Sequence, residues 1–419
     1  MTEGLAMRVF YLTTELPFPP TGGGRVRSLA ELRLLASLHE VEAVRVFAVQ
    51  EGDVSATDAH ALETEVPKTT VAPLVFHPIH IWRHPRHVPR LVAVRLGRRV
   101  PYLAAKWDGR AVRKALASEL DASRYDVVYI DHLGMAVYLR LIRRVAPWAR
   151  VVLEQHNVES DFFEQFAKDK RGLARPLARL EWGSARAFEA ATMRKVDAVV
   201  AISRGDASVF GDLAAVRAHV VPQVVRYEPR AWSPASPAEV GYVGSLAWRP
   251  NALGLDWVCG EVWPRVRTMA PELTLSIVGS GLPEGPGGPL VPAAWRVDGV
   301  RTVGFARDLA PFEARWSLMI APVFGGSGVR IKLLESFRAG VPVVTTPDGA
   351  AGLDVVDGRE LFIASTPAEF AARVVEVARS REVQERLRRG GYAYLDRAHA
   401  PALAEAAMRG ALGLGSPRS

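Results

Sequence analysis

At 419 residues the chain is long enough for two or three domains, and no apolar run approaches the roughly 18–20 residues a membrane span needs, so the sequence reads as a soluble globular protein. One cysteine, Cys259, excludes an intramolecular disulfide, and no basic lead with an apolar segment and cleavage site opens the chain, so a cytoplasmic setting is expected. The net charge of +8 is local: residues 66–107 hold eight Lys and Arg and no Asp or Glu, interleaved with His77, His80, His84, His87, Phe76, Trp82, Tyr102 and Trp107. This stretch is read either as a solvated surface or as a face for anionic headgroups or a phosphorylated acceptor, at the inner side of a membrane. No nucleic-acid motif accompanies it.

In chain order, Met7–Thr13 is a continuous apolar strand that runs through Pro17–Pro20 into Gly22, Gly23 and Gly24. A helix follows with Leu29, Leu32, Leu35 and Leu38 on one face, and Val41–Val49 is the next strand, which completes a βαβ unit and implies a parallel sheet. Gly22–Gly24 is read as a phosphate-receiving turn or a plain tight turn, with Arg25 and Arg27 favouring an anion nearby. Further strands are expected at Val127–Ile130, Val151–Leu153 and Ala198–Ile202. Asp131-His132 then falls at a carboxyl end of the sheet, where α/β clefts open, and His156, Asn157 and Glu159 follow the next strand.

A Pro-rich link at 229–238 separates domains at 1–228 and 239–395, and a last segment, 396–419, is helical. In the second domain strands are expected at Val240–Val243, Leu273–Val278, Leu318–Ala321 and Val341–Thr345, with a helix over 251–269 and a loop over 281–292. The fold class is therefore α/β, two Rossmann-like doubly wound domains in tandem.

The segment 321–352 carries the most chemistry. An apolar strand runs into Gly325-Gly326-Ser327-Gly328 and out into a helix, where unpaired amides, Arg330 and Lys332 offer positive charge to a phosphate group. Glu335 lies one turn past Lys332 and suits ribose hydroxyls. The spacing is not that of a P-loop.

Six motifs in order resemble the GT-B glycosyltransferases, specifically the retaining family 4 of group 1 type whose donor loop reads G-G-S-G-x-R-x-K-x-L-E. They are P-x-P-P-x-G-G at Pro17–Gly23, HNVES at His156–Ser160, AIS at Ala201–Ser203, VGSLAWRPN at Val243–Asn251, IVGSG at Ile277–Gly281 and the 325–345 block. The resemblance implies two domains facing across a cleft, a nucleotide sugar on the second and an acceptor on the first, and a final helix that crosses back to the first. It assigns the donor to Gly22, Gly23, Gly24, Arg249, Gly326, Ser327, Gly328, Arg330, Lys332 and Glu335, and catalysis to His132, Arg330 and Lys332. His132 would face the donor sugar as a neutral imidazole, and His156, Asn157 and Glu159 would line the acceptor side, Glu159 alternatively capping its helix.

Two departures stand out. In the family's E-x7-E pair the second glutamate matches Glu335, while Ser327 stands in place of the first. Arg249 lacks the lysine that many relatives place near it. No D-x-D pair exists, and His132, His156 and Glu159 lack an HExxH-like spacing, so no metal or cofactor is expected. The expected reaction is transfer of a sugar to a saccharide, lipid-linked or small-molecule acceptor in surface polysaccharide or glycoconjugate assembly. Its rivals are an inactive sugar-nucleotide-binding subunit, a GT-B-type epimerase and, on the poorly matching Gly22–Gly24, a nicotinamide-dependent oxidoreductase.

Overall fold

The computed structural model describes residues 6–415, apart from 21, 52–55, 78–87, 99, 173, 230–237, 286–287 and 326–328. It divides into two units, Met1–Val224 with Ala402–Ser419, and Val225–Pro401.

The first unit is built on strands β1 (Met7–Thr13), β2 (Val41–Gln50), β3 (Thr69–Val71), β4 (Val75–Phe76), β5 (Val127–Asp131), β6 (Arg150–Gln155), β7 (Ala198–Ala201) and β8 (His219–Val220). Its helices are α1 (Gly23–Ser37), α2 (Ala56–Glu65), α3 (Val88–Arg98), α4 (Tyr102–Ala105), α5 (Arg110–Ala122), α6 (Leu139–Val145), α7 (Glu159–Asp169), α8 (Ala174–Met193) and α9 (Arg204–Ala214). All pairings in this sheet are parallel, in the order β3-β2-β1-β5-β6-β7-β8, with β4 beside β2. Val9, Phe10, Tyr11 and Leu12 are all buried, as a parallel strand covered on both faces requires.

The second unit has β9 (Glu239–Val243), β10 (Thr274–Val278), a short antiparallel hairpin of β11 (Glu284–Gly285) and β12 (Gly288–Pro289), β13 (Val300–Gly304), β14 (Trp316–Ala321), β15 (Val343–Thr345) and β16 (Phe362–Ile363). Its helices are α10 (Arg249–Trp257), α11 (Trp263–Met269), α12 (Ala310–Glu313), α13 (Ile331–Ala339), α14 (Pro347–Ala350), α15 (Pro367–Arg379) and α16 (Arg381–Ala398). The sheet is parallel, in the order β13-β10-β9-β14-β15-β16. The last helix, α17 (Pro401–Leu412), buries Ala404, Met408, Ala411 and Leu412 against the α1 side of the first sheet.

The expected helix over 251–269 is nearly continuous, with one π turn at Val258–Val262 between α10 and α11, and the loop over 281–292 carries the β11–β12 hairpin. The edge strands β13 and β16 were not expected, because short edge strands show little periodicity. Most of the Pro-rich 229–238 link lies outside the described residues.

In each sheet the strand order reverses once, between β1 and β5 and between β9 and β14. Loops leaving these neighbours diverge to opposite faces and open a crevice at the carboxyl ends. Gly254 of α10 seals the second of these points, since a Cβ there would lie 1.9 Å from the Pro322 carbonyl oxygen just after β14. Gly254→Ala should therefore force backbone apart and destabilise the protein by about 1–3 kcal/mol, read by denaturant unfolding. Gly260→Ala, which meets nothing within 4 Å, should leave stability unchanged or raise it.

Candidate functional site

At the first reversal, Asp131 ends β5 with no exposed surface. A carboxylate so placed needs compensation. Thr13 Oγ1 at the end of β1 donates to it at 2.7 Å, Ser28 Oγ of α1 at 2.8 Å, and His156 Nε2 just after β6 lies 2.7 Å away. His132 Nδ1 stands 3.3 Å from the same carboxylate, and the two imidazoles pack with centroids 3.8 Å apart. Although burial opposes its charging, Asp131 next door raises the His132 pKa to about 9, with smaller help from Glu159 and Glu15. For Asp131, burial works against ionisation, but the two histidines hold its carboxyl well below the ordinary range. Burial, and then the charge on His132, lowers His156. The expected neutral imidazole at His132 is therefore corrected to an imidazolium, because a buried carboxylate sits beside it.

His132 itself has a left-handed backbone, φ 78°, which carries strain for a residue with a Cβ. Its Nε2 would lie 3.9 Å from a Cβ on Gly24, so the ring tip meets the first turn of α1. Gly22 is the N-cap of that helix in extended conformation, and Gly22 and Gly23 have open space around them. Arg25 and Arg27, by contrast, are not directed at an anion. Arg25 Nε pairs with Glu15 at 2.6 Å, and Arg27, 2% exposed, turns inward to Glu154 and Glu31. Tyr129 Oη lies within hydrogen-bond distance of both carboxylates, 3.1 Å from Glu31 and 3.0 Å from Glu154, its one hydrogen serving one of them at a time, and Tyr11 Oη donates to Glu31.

His156 supports Asp131, a role the sequence reading did not assign. Glu159 does not cap α7. Its backbone N–H and that of Ser160 donate to Glu189 of α8 at 2.9 and 3.0 Å, while the N-cap residue, Val158, has no side chain able to accept. Burial pushes Glu189 up to about 7. The Glu159 carboxyl is also raised by burial, against the pull of His132 and Lys106. Asn157, in the turn between β6 and α7, is half-buried.

Among the described residues two trios, Asp131, His132, His156 and Glu31, Glu154, His156, bring oxygen and nitrogen atoms within 4.8 Å of one another, close enough for metal ligands. The oxygens of Asp131 already accept from Thr13, Ser28 and His156, and those of Glu154 from Arg27 and Tyr129, which leaves these groups engaged as hydrogen-bond acceptors.

At the second reversal, Arg330 stands at the N-cap position of α13 and is buried, with Nη2 donating to the Gly325 and Asp348 carbonyls at 3.0 and 3.4 Å. Lys332 reaches the loop after β9. Its Nζ donates to Asn251 Oδ1 at 2.9 Å and lies 4.9 Å over the Tyr242 ring. Burial, then the charge of Arg330, lowers Lys332 to about 7. Gly244 is needed here: a Cβ would stand 2.8 Å from Asn251 Nδ2, 3.1 Å from Tyr242 Oη and 3.2 Å from Lys332 Nζ. Tyr242 Oη is itself buried with no hydrogen bond among the described residues. Tyr242, Gly244 and Asn251 were missed in the sequence, although VGSLAWRPN contains two of them, because only the charged Arg249 drew notice there. Arg249 opens α10 as an exposed residue.

Glu335 lies on α13 with Oε2 2.6 Å from Arg338 Nε. Gly326, Ser327 and Gly328 lie outside the described residues. In the basic stretch 66–107, Lys68 donates to the Leu38 and Val41 carbonyls, Arg95 pairs with Glu181, and burial lowers Lys106. Residues 78–87, with Arg83, Arg86, His80, His84 and His87, are again outside the described residues.

Two parallel α/β sheets with this order define the GT-B fold, and solved structures of that fold align over nearly the whole chain. Anabaena HepE, solved with UDP and glucose, gives a TM-score of 0.64 at 12% identity over 97% of this chain and 99% of that one. S. aureus TarM, solved as a mutant with fondaparinux, alpha-GlcNAc-glycerol and UDP, gives 0.69 at 8% identity over 97% and 99%. A sucrose-phosphate synthase from Thermosynechococcus elongatus gives 0.64 at 15% identity over 95% and 96%. Within the second unit, residues 237–380 match the family model described as Glycosyl transferases group 1. A Klebsiella pneumoniae protein described as an uncharacterized 44.6 kDa protein in a cps region is 28% identical over 143 residues. That match spans 33% of this chain and 37% of the relative.

The Asp131–His132 pair has a definite pH signature. The folded pKa of His132, about 9, exceeds the ordinary 6.5, so its stabilising contribution is complete below 6.5 and is lost as pH rises through 9. Asp131, held low, contributes above its ordinary 3.8 and loses that contribution as pH falls through its depressed value. An NMR titration should find the His132 midpoint near 9, and Asp131→Asn should return it to the ordinary histidine range or below.

Proposed function

We propose that this chain is a metal-independent glycosyltransferase that moves a hexosyl group from a nucleoside-diphosphate sugar to an acceptor hydroxyl with retention of configuration. The reading places it in bacterial surface polysaccharide or glycoconjugate assembly, with a saccharide or lipid-linked acceptor and a site of action at the inner face of the membrane. The observation that carries it is the pair Arg330 and Lys332 at the start of α13, at the strand reversal of the unit whose residues 237–380 match the group 1 family.

Cleavage of the bond between the anomeric carbon and the diphosphate oxygen leaves negative charge on the departing group. Positive charge held at that point stabilises it, from Arg330 before the donor arrives and from Lys332 once the anion favours its charged form. Arg330 is oriented by two carbonyls and Lys332 by an amide oxygen and a ring face, so both are aimed before the donor arrives. Arg249 adds charge at the adjoining loop, Gly326, Ser327 and Gly328 are assigned to the donor sugar by the resemblance, and Glu335 accepts from the ribose. As the acceptor oxygen bonds to the anomeric carbon on the same face, its proton passes to the leaving phosphate oxygen.

His132, as an imidazolium, donates a hydrogen bond to a sugar hydroxyl, with Gly22–Gly24 beside it. Its charge is balanced by Asp131, which suits orientation better than stabilisation of a positive anomeric centre. Asn157 and Glu159 face the acceptor, and His156 holds Asp131. The replacement of a family glutamate by Ser327 favours one second reading, an inactive sugar-nucleotide-binding subunit. Binding of a nucleotide sugar without transfer to any acceptor would establish that instead.

Calorimetry with a panel of nucleoside diphosphates tests the donor site. One should bind, and Arg330→Ala should weaken it about 10- to 100-fold, the loss of a charge-assisted bond of about 1.5–3 kcal/mol. Because free Lys332 titrates near 7 and an anion favours its charged form, binding at pH 8 should take up a proton, and Lys332→Met should abolish that uptake. If no nucleoside diphosphate binds, the donor assignment fails. Retention is checked separately by an anomer-resolved NMR time course, in which an inverted first product overturns it.

A further inference from the structure

Outside this site, the hairpin of α7 and α8 exposes apolar side chains that its own packing does not use. Phe162 and Phe166 of α7 are 49% and 43% exposed, and Leu177 and Leu180 of α8 are 69% and 71% exposed. Each pair is one helical turn apart and so shares a face. The inward side of the hairpin is already satisfied by Ala167, Ala178, Ala185 and Glu189, all buried. An isolated exposed leucine is ordinary, but four large apolar residues on one hairpin mark a contact surface.

The surrounding charge says what the contact is. Residues 165–180, QFAKDKRGLARPLARL, hold Lys168, Lys170, Arg171, Arg175 and Arg179 against Asp169 as the one acid. Lys168, Arg171, Arg175 and Arg179 are exposed. Lys170 Nζ lies 4.4 Å over the Phe166 ring, which lays its stem along the apolar surface, and Lys168 pairs with Glu164 at 3.0 Å. Exposed leucine and phenylalanine ringed by arginine and lysine suit the boundary of an anionic bilayer, where apolar groups enter the acyl region and cations meet headgroup phosphates. The basic stretch 66–107, by contrast, spends Lys68 and Arg95 within the fold and buries Lys106. Arg95 is in fact bound to Glu181 of α8, which ties α3 to this hairpin.

We propose that the exposed tip of the α7–α8 hairpin, through Phe166, Leu177, Leu180, Arg175 and Arg179, docks the protein on an anionic lipid bilayer. The surface is distinct from Arg330 and Lys332, so docking is read without nucleotide and stands or falls apart from the transferase reading.

The test uses the full chain with extruded vesicles of phosphatidylcholine, alone or mixed with phosphatidylglycerol, in a co-sedimentation assay. Binding should require the anionic lipid and fall as salt rises. Leu177→Ala with Leu180→Ala, and separately Arg175→Gln with Arg179→Gln, should each weaken it by roughly tenfold. Thermal unfolding should be unchanged, since these side chains are exposed. Equal binding to neutral vesicles, no binding to anionic ones, or indifference to both double variants overturns the proposal. So does a concentration-dependent dimer in solution that the leucine variant abolishes, which would assign the surface to a second copy of this chain.

Discussion

A carboxylate with no solvent around it has to be compensated where it stands, and Asp131 sets the terms for everything at the carboxyl end of the first sheet. Its partners come from β1, α1, the turn after β5 and the turn after β6, so one charge ties together four segments far apart in sequence. The consequence reaches His132, whose ring is kept charged and whose backbone is held left-handed at the mouth of α1. A few ångströms deeper, Arg27, Glu31 and Glu154 repeat the solution with the signs exchanged, an arginine answered by two carboxylates and two tyrosines. That network costs desolvation on every member and holds α1 in one position against the sheet.

The second unit handles buried charge differently. Lys332 is met by an amide oxygen and the face of a ring, neither of which carries a full negative charge, and its pKa falls accordingly. A lysine met by no carboxylate among the described residues is suited to an anionic ligand that restores its charge, whereas the imidazolium of the first unit already has its carboxylate. The two units therefore share a strand order but not an electrostatic role. Glycine packing keeps the second arrangement close: Gly244 leaves room for Lys332, Tyr242 and Asn251 to converge, and Gly254 lets α10 rest on the backbone after β14.

Much of this was legible beforehand. Runs such as Met7–Thr13 and Leu318–Ala321 are apolar without alternation, which only a doubly covered strand tolerates, and so the parallel α/β class was readable. The position of Arg330 and Lys332 at the start of a helix was readable because a strand, a glycine turn and a helix start are contiguous in the chain. The short edge strands β13 and β16 and the α7 cap by Glu189 were not. Glu189 lies 30 residues beyond the amide of Glu159 that it accepts from, and no local pattern announces such a partner.

The sequence by itself determined the elements, the order of the motifs and the residue types available at each strand end, since these depend on neighbours within a few positions. Tertiary structure alone decided which charges were spent. Arg25 and Arg27 beside a glycine turn look ready for an anion, yet Glu15, Glu31 and Glu154 claim them; Lys68 and Arg95 look like surface charge and are tied within the fold. A side chain's charge is fixed by its type, but its availability depends on what burial brings within about 3 Å of it, and those partners come from anywhere in the chain.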